Sequence, residues 1–441
     1  MAGRGTVRRG RPFWSFLLQA ALLGGFALAV GDRTVVEACI VCGSADVEPF
    51  LALGQMALAN KFLTREELSG DEPRFDLTVG FCHECSHVQL TRHVSPARMF
   101  EDYLYISSAS DTLKDHLWDL SDVVVQRCGL GEGDLVIDIG ANDGTLLKGF
   151  RRHGVQALGV DPARNLAERY RDPEIARYTG FFNSRSAEEI LEQFRPAAAI
   201  TATNTFPHIP ALQEFVRGVD IALAPGGSFV IEAHYLMDIF EQLAFDTVYH
   251  EHVSYWALSP MRRLFEDHGM EVTHAERLPI HHGQLRVFVQ RKGEGVVNPS
   301  VEQILDGERA AGLDQLETWR GFARRTSGLK EDLHQTLAEL RAGGSRVVGY
   351  GAPAKGNTLL GFLGLGPEDL DYIVDRSPLK QGLYTPGTYI PVVSTDRLLE
   401  DQPEYVLLLA WNFAEEVMDQ QAEYRRNGGR FILPVPEVRV V

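Results

Sequence analysis

Apolar residues in this chain come in short unbroken runs, divided by glycines and by mixed charged stretches. The run from Asp134 to Gly140 reads Asp-Leu-Val-Ile-Asp-Ile-Gly and carries apolar side chains at consecutive positions, the pattern of a strand covered on both faces in a parallel sheet. A helical pattern from about Leu113 leads into it, and Leu146 and Leu147 open another helix after the glycine turn. Runs of the same kind return at Ala157 to Asp161, Ala198 to Ala202 and Gly227 to Glu232. Strands alternating with helices predict an α/β fold built on a doubly wound sheet. The same grammar recurs near the C-terminus, in Ser345 to Asn357, Leu370 to Asp375 and Tyr405 to Ala410, and predicts a second, smaller α/β domain. Residues 298–341 between the two read as an amphipathic helical connector.

The N-terminal segment departs from this pattern. Arg8, Arg9 and Arg11 precede an apolar run from Phe13 to Val30, which has the look of a signal peptide or short anchor. Reduced thiolates and a metabolite cofactor in the rest of the chain argue for the cytoplasm, so residues 1–36 are expected to be an extension outside the folded protein, with no membrane partner.

Four of the five cysteines form two Cys-x-x-Cys pairs, Cys39 with Cys42 and Cys82 with Cys85, each on a turn-like stretch with strand-like sequence between. Four sulfurs can converge on one tetrahedral zinc ion, and with every position filled by thiolate the metal is structural. His83, His87 and His93 are read as bystanders and Cys128 as a packed thiol. The expected division is 37–110 for a zinc-binding domain, 111–297 for the first α/β domain and 298–441 for the connector and second α/β domain. A net charge of −17 argues against general binding of nucleic acid, which needs Lys and Arg on phosphates, and a zinc-ribbon binding module is disfavoured for the same reason. Nothing in the sequence specifies an oligomer, and a monomer is the default.

Two stretches carry candidate chemistry. Asp138-Ile139-Gly140-Ala141-Asn142-Asp143-Gly144 ends the first buried strand, where glycine lets a ligand approach the backbone and where open α/β sheets bind their ligands. Its spacing, Asp-x-Gly-x-x-x-Gly, is not the Gly-x-Gly-x-x-Gly of dinucleotide folds, which disfavours an NAD-dependent sugar-nucleotide oxidoreductase. Tyr249-His250-Glu251-His252 gathers a phenol, two imidazoles and a carboxylate, a set able to take a proton from carbon. On an extended stretch His250 and His252 would share a face as a plain polar edge, so context decides between a site and a solvated strand. At the second glycine turn, Ala352 to Asn357 offers backbone amides, a helix start and the ammonium of Lys355, which suit a diphosphate; a structural turn is the alternative.

The glycine loop resembles the first motif of class I S-adenosylmethionine-dependent methyltransferases, with Asp161 matching the acidic residue that meets ribose hydroxyls in that family. Together with the cysteine pairs, Asn204-Thr205-Phe206-Pro207-His208, the Tyr249 to His252 run, Gly349 to Asn357 and Trp411-Asn412-Phe413, it makes the chain similar, from about Cys39 onward, to the sugar C-methyltransferases acting on dTDP-linked keto-deoxysugars. The resemblance implies S-adenosyl-L-methionine as cofactor, held by Asp138, Gly140, Asn142, Asp143, Gly144 and Asp161, and a structural zinc on Cys39, Cys42, Cys82 and Cys85. It implies His252 as general base with Tyr249 and Glu251 beside it, Asn204 and His208 near the reacting centre, and a tyrosine from the zinc-binding lobe, Tyr103 with Tyr105 as second choice. Lys355, Asn357, Tyr105 and His250 are the expected substrate contacts, and Pro207 stands where the family pattern has alanine. The implied reaction is methylation at C-3 of a dTDP-4-keto-deoxysugar through an enolate; C-5 or another carbon of a different keto substrate is the alternative.

Overall fold

The computed structural model describes residues 33–101, 106–109, 111–169, 172–280 and 283–441. The apolar N-terminal run, Tyr103 and Tyr105 lie outside them. Among the described residues no helix is long and apolar enough to cross a membrane.

The central sheet has seven strands, in spatial order Met270–Leu278, Gln284–Arg291, Leu223–His234, Ala197–Thr203, Leu135–Ile139, Gln156–Asp161 and Ile175–Thr179. The five from Leu223–His234 to Ile175–Thr179 run parallel, and the central ones, Leu135–Ile139 and Ala197–Thr203, have the apolar sequence of strands covered on both faces. Gln284–Arg291 runs antiparallel, inserted between Leu223–His234 and the edge strand Met270–Leu278. That reversed strand separates this sheet from the dinucleotide-binding sheet, which continues parallel through its sixth strand. The order changes direction between Leu135–Ile139 and Ala197–Thr203, so a crevice opens at their carboxyl ends, where the loop 140–144 and Asn204 sit.

The zinc-binding lobe is a four-stranded antiparallel sheet ordered Ser254–Tyr255, Val88–Leu90, Phe75–Cys82 and Val47–Met56. Its first strand belongs to the chain segment after His252, so the lobe is stitched into the body of the seven-stranded sheet: Ser254 pairs with Gln89 and Tyr255 with Val88. Gln213 Nε2 adds hydrogen bonds to the carbonyls of Ile40 (3.2 Å) and Val41 (2.8 Å), inside the first cysteine turn. Two helices follow, Ser300–Ala310 and Leu316–Ala342, the second burying Trp319, Phe322, Leu329, Leu333 and Leu337 along one side.

A six-stranded sheet completes the fold, ordered Val392–Val393, Ile373–Val374, Val347–Tyr350, Tyr405–Leu408, Arg430–Leu433 and Arg439–Val440, parallel except for the last. The two α/β units share a device at the end of the second strand. Asp161 accepts from the loop amide of Asn142 and from Ala163 N, both at 2.8 Å; Asp375 accepts from the loop amide of Ala352 and from Ser377 N, both at 2.7 Å. Each carboxylate thereby ties a glycine turn to the neighbouring strand.

Candidate active site

A cavity of about 790 Å³ lies where these three parts meet. Gly140 to Asn142, Asp138 and Asp161 line one side; Asn204, His208, His234, Tyr249 and His252 line the middle; Lys355, Lys380, Asn412 and Phe413 line the side contributed by the C-terminal sheet. Asn60, Ser95, Pro96, Ala97 and Phe100 of the zinc-binding lobe complete the wall.

The cofactor side is built by close approach. Gly140 has φ +79°, and a Cβ there would sit 2.0 Å from Thr205 Oγ1, so only glycine allows loop and crevice to meet. Asp138 is buried and accepts from Thr201 Oγ1 at 2.7 Å, and burial pushes its carboxyl up to about 7. Leu113, Leu117, Phe181 and Phe182 add apolar surface to the same cavity. Glycine-lined backbone, an acid at the second strand end and an apolar flank fit a nucleoside cofactor such as S-adenosyl-L-methionine.

Asp143 and Gly144 correct the expectation, because neither lines the cavity. Asp143 is 2% exposed and works inside the loop, accepting from Thr145 Oγ1 at 2.7 Å and from Ser108 N at 3.0 Å, while Asn142 Oδ1 takes Ser107 N at 3.0 Å. Gly144, at φ +78°, turns the chain into the helix Thr145–Arg151. Arg177 Nη2 donates to the carbonyl of Asn142 from beside the acid group.

Residues 249–252 form a tight turn, not the extended stretch considered from sequence: His252 N donates to Tyr249 O at 2.9 Å. A turn brings residues three apart to the same side, so Tyr249 and His252 share the cavity wall while His250 and Glu251 leave it. His250 Nε2 lies 3.3 Å from Phe75 O in the zinc-binding lobe, and its ring meets Phe75 edge-on, so it is a packing residue and not a substrate contact. Glu251 accepts from Asn60 Nδ2 at 2.7 Å. The imidazole of His252 is oriented by the Thr247 carbonyl, 2.8 Å from Nδ1, and not by Glu251. A carbonyl only accepts, so Nδ1 carries the hydrogen and Nε2 receives the Tyr249 hydroxyl at 2.8 Å.

Burial holds His252 well below the ordinary imidazole range, with the charges of His208 and Lys355 acting the same way. His208 is lowered to about 4 by burial and meets the His252 ring edge-on at 4.9 Å. Asn204 takes a left-handed φ of +53°, held by its N–H to Glu232 O at 2.7 Å and by Gln284 Nε2 on its Oδ1 at 2.9 Å. Oδ1 being the accepting end, the amide Nδ2 is its donor to the cavity.

On the C-terminal side, Lys355 sits 5.9 Å from the Trp411 ring; burial lowers its ammonium, opposed by the charge of Asp246. Asp246 is fully buried and accepts from Trp411 Nε1 at 2.6 Å. Lys380 donates to Ala352 O at 2.7 Å, with Asp375 at 3.9 Å. Asn357, expected at the substrate, faces the opposite way: it is 5% exposed and donates to Ala59 O at 2.7 Å, tying the C-terminal unit to the zinc-binding lobe. Sequence reading missed Lys380, His234, Gln284, Asn60 and Asp246. For Lys380 the signal was present, since it follows the strand-end acid Asp375 in a turn-rich stretch; for the others only the fold supplies it.

The four Sγ atoms of Cys39, Cys42, Cys82 and Cys85 lie within 4.8 Å of one another, with Cys39 to Cys85 and Cys42 to Cys82 both at 3.6 Å. Tetrahedral zinc with bonds of about 2.3 Å demands sulfur edges of roughly 3.8 Å, and the cluster fits. His83 instead meets Glu48 at 3.2 Å on the surface.

Comparison with known proteins then decides the family. C-methyltransferase NovU of Streptomyces niveus is 37% identical over 407 residues, which cover 92% of this chain and 97% of that protein. The chain belongs to the C-methyltransferase family. Three domain families match along the methyltransferase: "Putative zinc binding domain" at residues 39–100, "Methyltransferase domain" at 119–275 and "C-methyltransferase C-terminal domain" at 279–436. It is an S-adenosylmethionine-dependent C-methyltransferase with a zinc-binding domain. Solved structures overlap it partially: the YcgJ protein of Bacillus subtilis, 18% identical, covers 41% of this chain and 100% of its own at a TM-score of 0.32. Magnesium protoporphyrin IX methyltransferase of Synechocystis, 12% identical, covers 43% and 90% at 0.31.

Proposed function

We propose that this C-methyltransferase acts on a dTDP-linked 4-keto-deoxysugar and methylates it at C-3. The observation that supports this most is the joint wall of one cavity, with a proton-accepting pair, Tyr249 and His252, between a cofactor edge and an edge bearing Lys355 and Lys380. A carbon becomes a nucleophile by losing a proton next to a carbonyl, and the enolate charge must be met by aimed donors, usually the largest catalytic contribution. In this reading loss of the C-3 proton leaves His252 protonated at Nε2, the one ring nitrogen with a lone pair. Asn204 and His208 offer hydrogen-bond donors to the C-4 oxygen. The Thr247 carbonyl keeps the imidazole in the accepting tautomer and favours the imidazolium once formed.

Gly140, Asn142 and Asp161 hold the cofactor, with Asp138 below. When bound there, S-adenosyl-L-methionine supplies an electrophilic methyl group on a sulfonium. The nucleotide diphosphate lies against the second glycine turn, where Lys355, Lys380 and the start of the helix Ala354–Leu363 provide cations and free amides.

The test is product NMR after incubation with methyl-labelled donor and a panel of dTDP-4-keto sugars. Label on C-3 is the expected result; label on oxygen, on nitrogen or at C-5 rejects the assignment.

A further inference from the structure

We propose that the Tyr249 phenol oxygen is the atom that takes the proton from the substrate carbon, with His252 behind it as the final acceptor. The proposal rests on the reading that a carbon beside a ketone is ionised in this cavity, and adds which atom touches it.

The hydrogen bonding of His252 carries the argument. Nδ1 is committed to the Thr247 carbonyl at 2.8 Å, and the single lone pair on Nε2 is covered by the Tyr249 hydroxyl at 2.8 Å. The two rings lie 4.0 Å apart between centroids, tilted by 36°, so phenol and imidazole are in contact over their faces as well. The imidazole is also enclosed by its neighbours. His208 stands edge-on at 4.9 Å, His234 lies at 5.2 Å, and the ring is 3% exposed. Tyr249 lines the same cavity, and the turn closed by His252 N on Tyr249 O builds the pair as one local unit.

The step balances without another reagent. The substrate C–H bond breaks and its electron pair moves into the enolate, whose charge rests on the former carbonyl oxygen. The proton forms a new O–H bond at Tyr249 while the old phenol O–H bond breaks and that proton forms N–H on His252 Nε2. Tyr249 ends neutral and His252 ends as imidazolium, so the driving force is that of the imidazole and the phenol adds reach.

The test is a double-variant cycle on solvent exchange, measured in D2O by NMR at the substrate α-carbon with S-adenosylhomocysteine in place of the donor, so that exchange is seen apart from methyl transfer. Acting as one unit, Tyr249→Phe and His252→Asn each lower exchange by about 10²-fold or more, and the double variant is no slower than the slower single. Losses that multiply in the double variant, or a Tyr249→Phe enzyme exchanging within about tenfold of wild type, overturn the relay. A retained melting shift with S-adenosylhomocysteine reports intact folding of each variant. Should Tyr249→Phe not fold, fluorotyrosine placed at 249 replaces it: exchange that follows phenol acidity supports the relay, and exchange indifferent to it overturns it. Wild-type protein that turns over without exchanging the α-carbon removes the ketone reading together with the relay, whereas wild-type exchange with multiplying losses removes the relay alone.

Discussion

At the scale of single residues, charge and burial divide the side chains that sequence placed together. Lys380 was not singled out by its motif, yet it shares the cavity wall with Lys355 and is fixed by Ala352 O and Asp375. Lys380→Met should raise the KM for the sugar nucleotide by about tenfold or more while leaving that for the methyl donor nearly unchanged, since a charge-assisted hydrogen bond is worth roughly 1.5–3 kcal/mol. Steady-state kinetics with each substrate varied in turn checks it, and a larger effect on the donor would move the diphosphate elsewhere. The histidines give a pH dependence with a definite sign. Burial lowers His208 and His250 to about 4 and holds His252 well below its ordinary range, so the folded chain keeps them neutral while the unfolded chain protonates them below about 6.5. Their contribution is fully present above that value and is lost as pH falls toward 4, and melting temperature should drop across this window, less steeply in a His250→Gln variant. His250, Asn357 and Asp143 show what sequence could not resolve. Each is polar and sits inside a motif, and each faces away from the cavity because turn geometry, not composition, sets direction.

Among elements, the parallel strands were legible because both-face burial demands unbroken apolar sequence, and the runs at Leu135–Ile139, Gln156–Asp161 and Ala197–Thr203 have it. The antiparallel insertion of Gln284–Arg291 was not read, since Leu285, Val287 and Val289 alternate with partly polar neighbours and carry no mark of direction. Gly140 was legible as a close-approach position, read as making room for a ligand, whereas the atom it makes room for in the fold is Thr205 Oγ1. Gly140→Ala combines a left-handed φ with a clash at Thr205, whereas Gly226→Ala has φ +70° and open space. The second isolates the backbone strain, about 1–2 kcal/mol. Gly140→Ala should therefore lose more melting temperature than Gly226→Ala and also weaken S-adenosylhomocysteine binding in calorimetry; equal losses would mean that Thr205 yields freely.

Over the whole molecule, the cysteine pairs were read correctly as one cluster, but their connection to the chemistry became visible only in three dimensions. Gln89 links them: its Oε1 accepts from Ile40 N at 2.9 Å inside the first Cys-x-x-Cys turn, and its backbone pairs with Ser254, two residues beyond His252. Val253 N donates to Pro207 O at 2.9 Å, joining the same strand to the His208 segment. A structural zinc therefore braces the turn that presents Tyr249 and His252, and metal binding energy is in part energy for positioning them. Chelation, or Cys82→Ser, should lower the melting temperature and abolish α-carbon exchange. With the cofactor at the proposed sheet edge, which carries none of the cysteines, binding of S-adenosylhomocysteine should fall by less than about tenfold at temperatures where the α/β body stays folded. Exchange that survives zinc loss would show that the turn at 249–252 stands without the lobe; parallel loss of cofactor binding would show that the lobe and the seven-stranded sheet unfold as one unit.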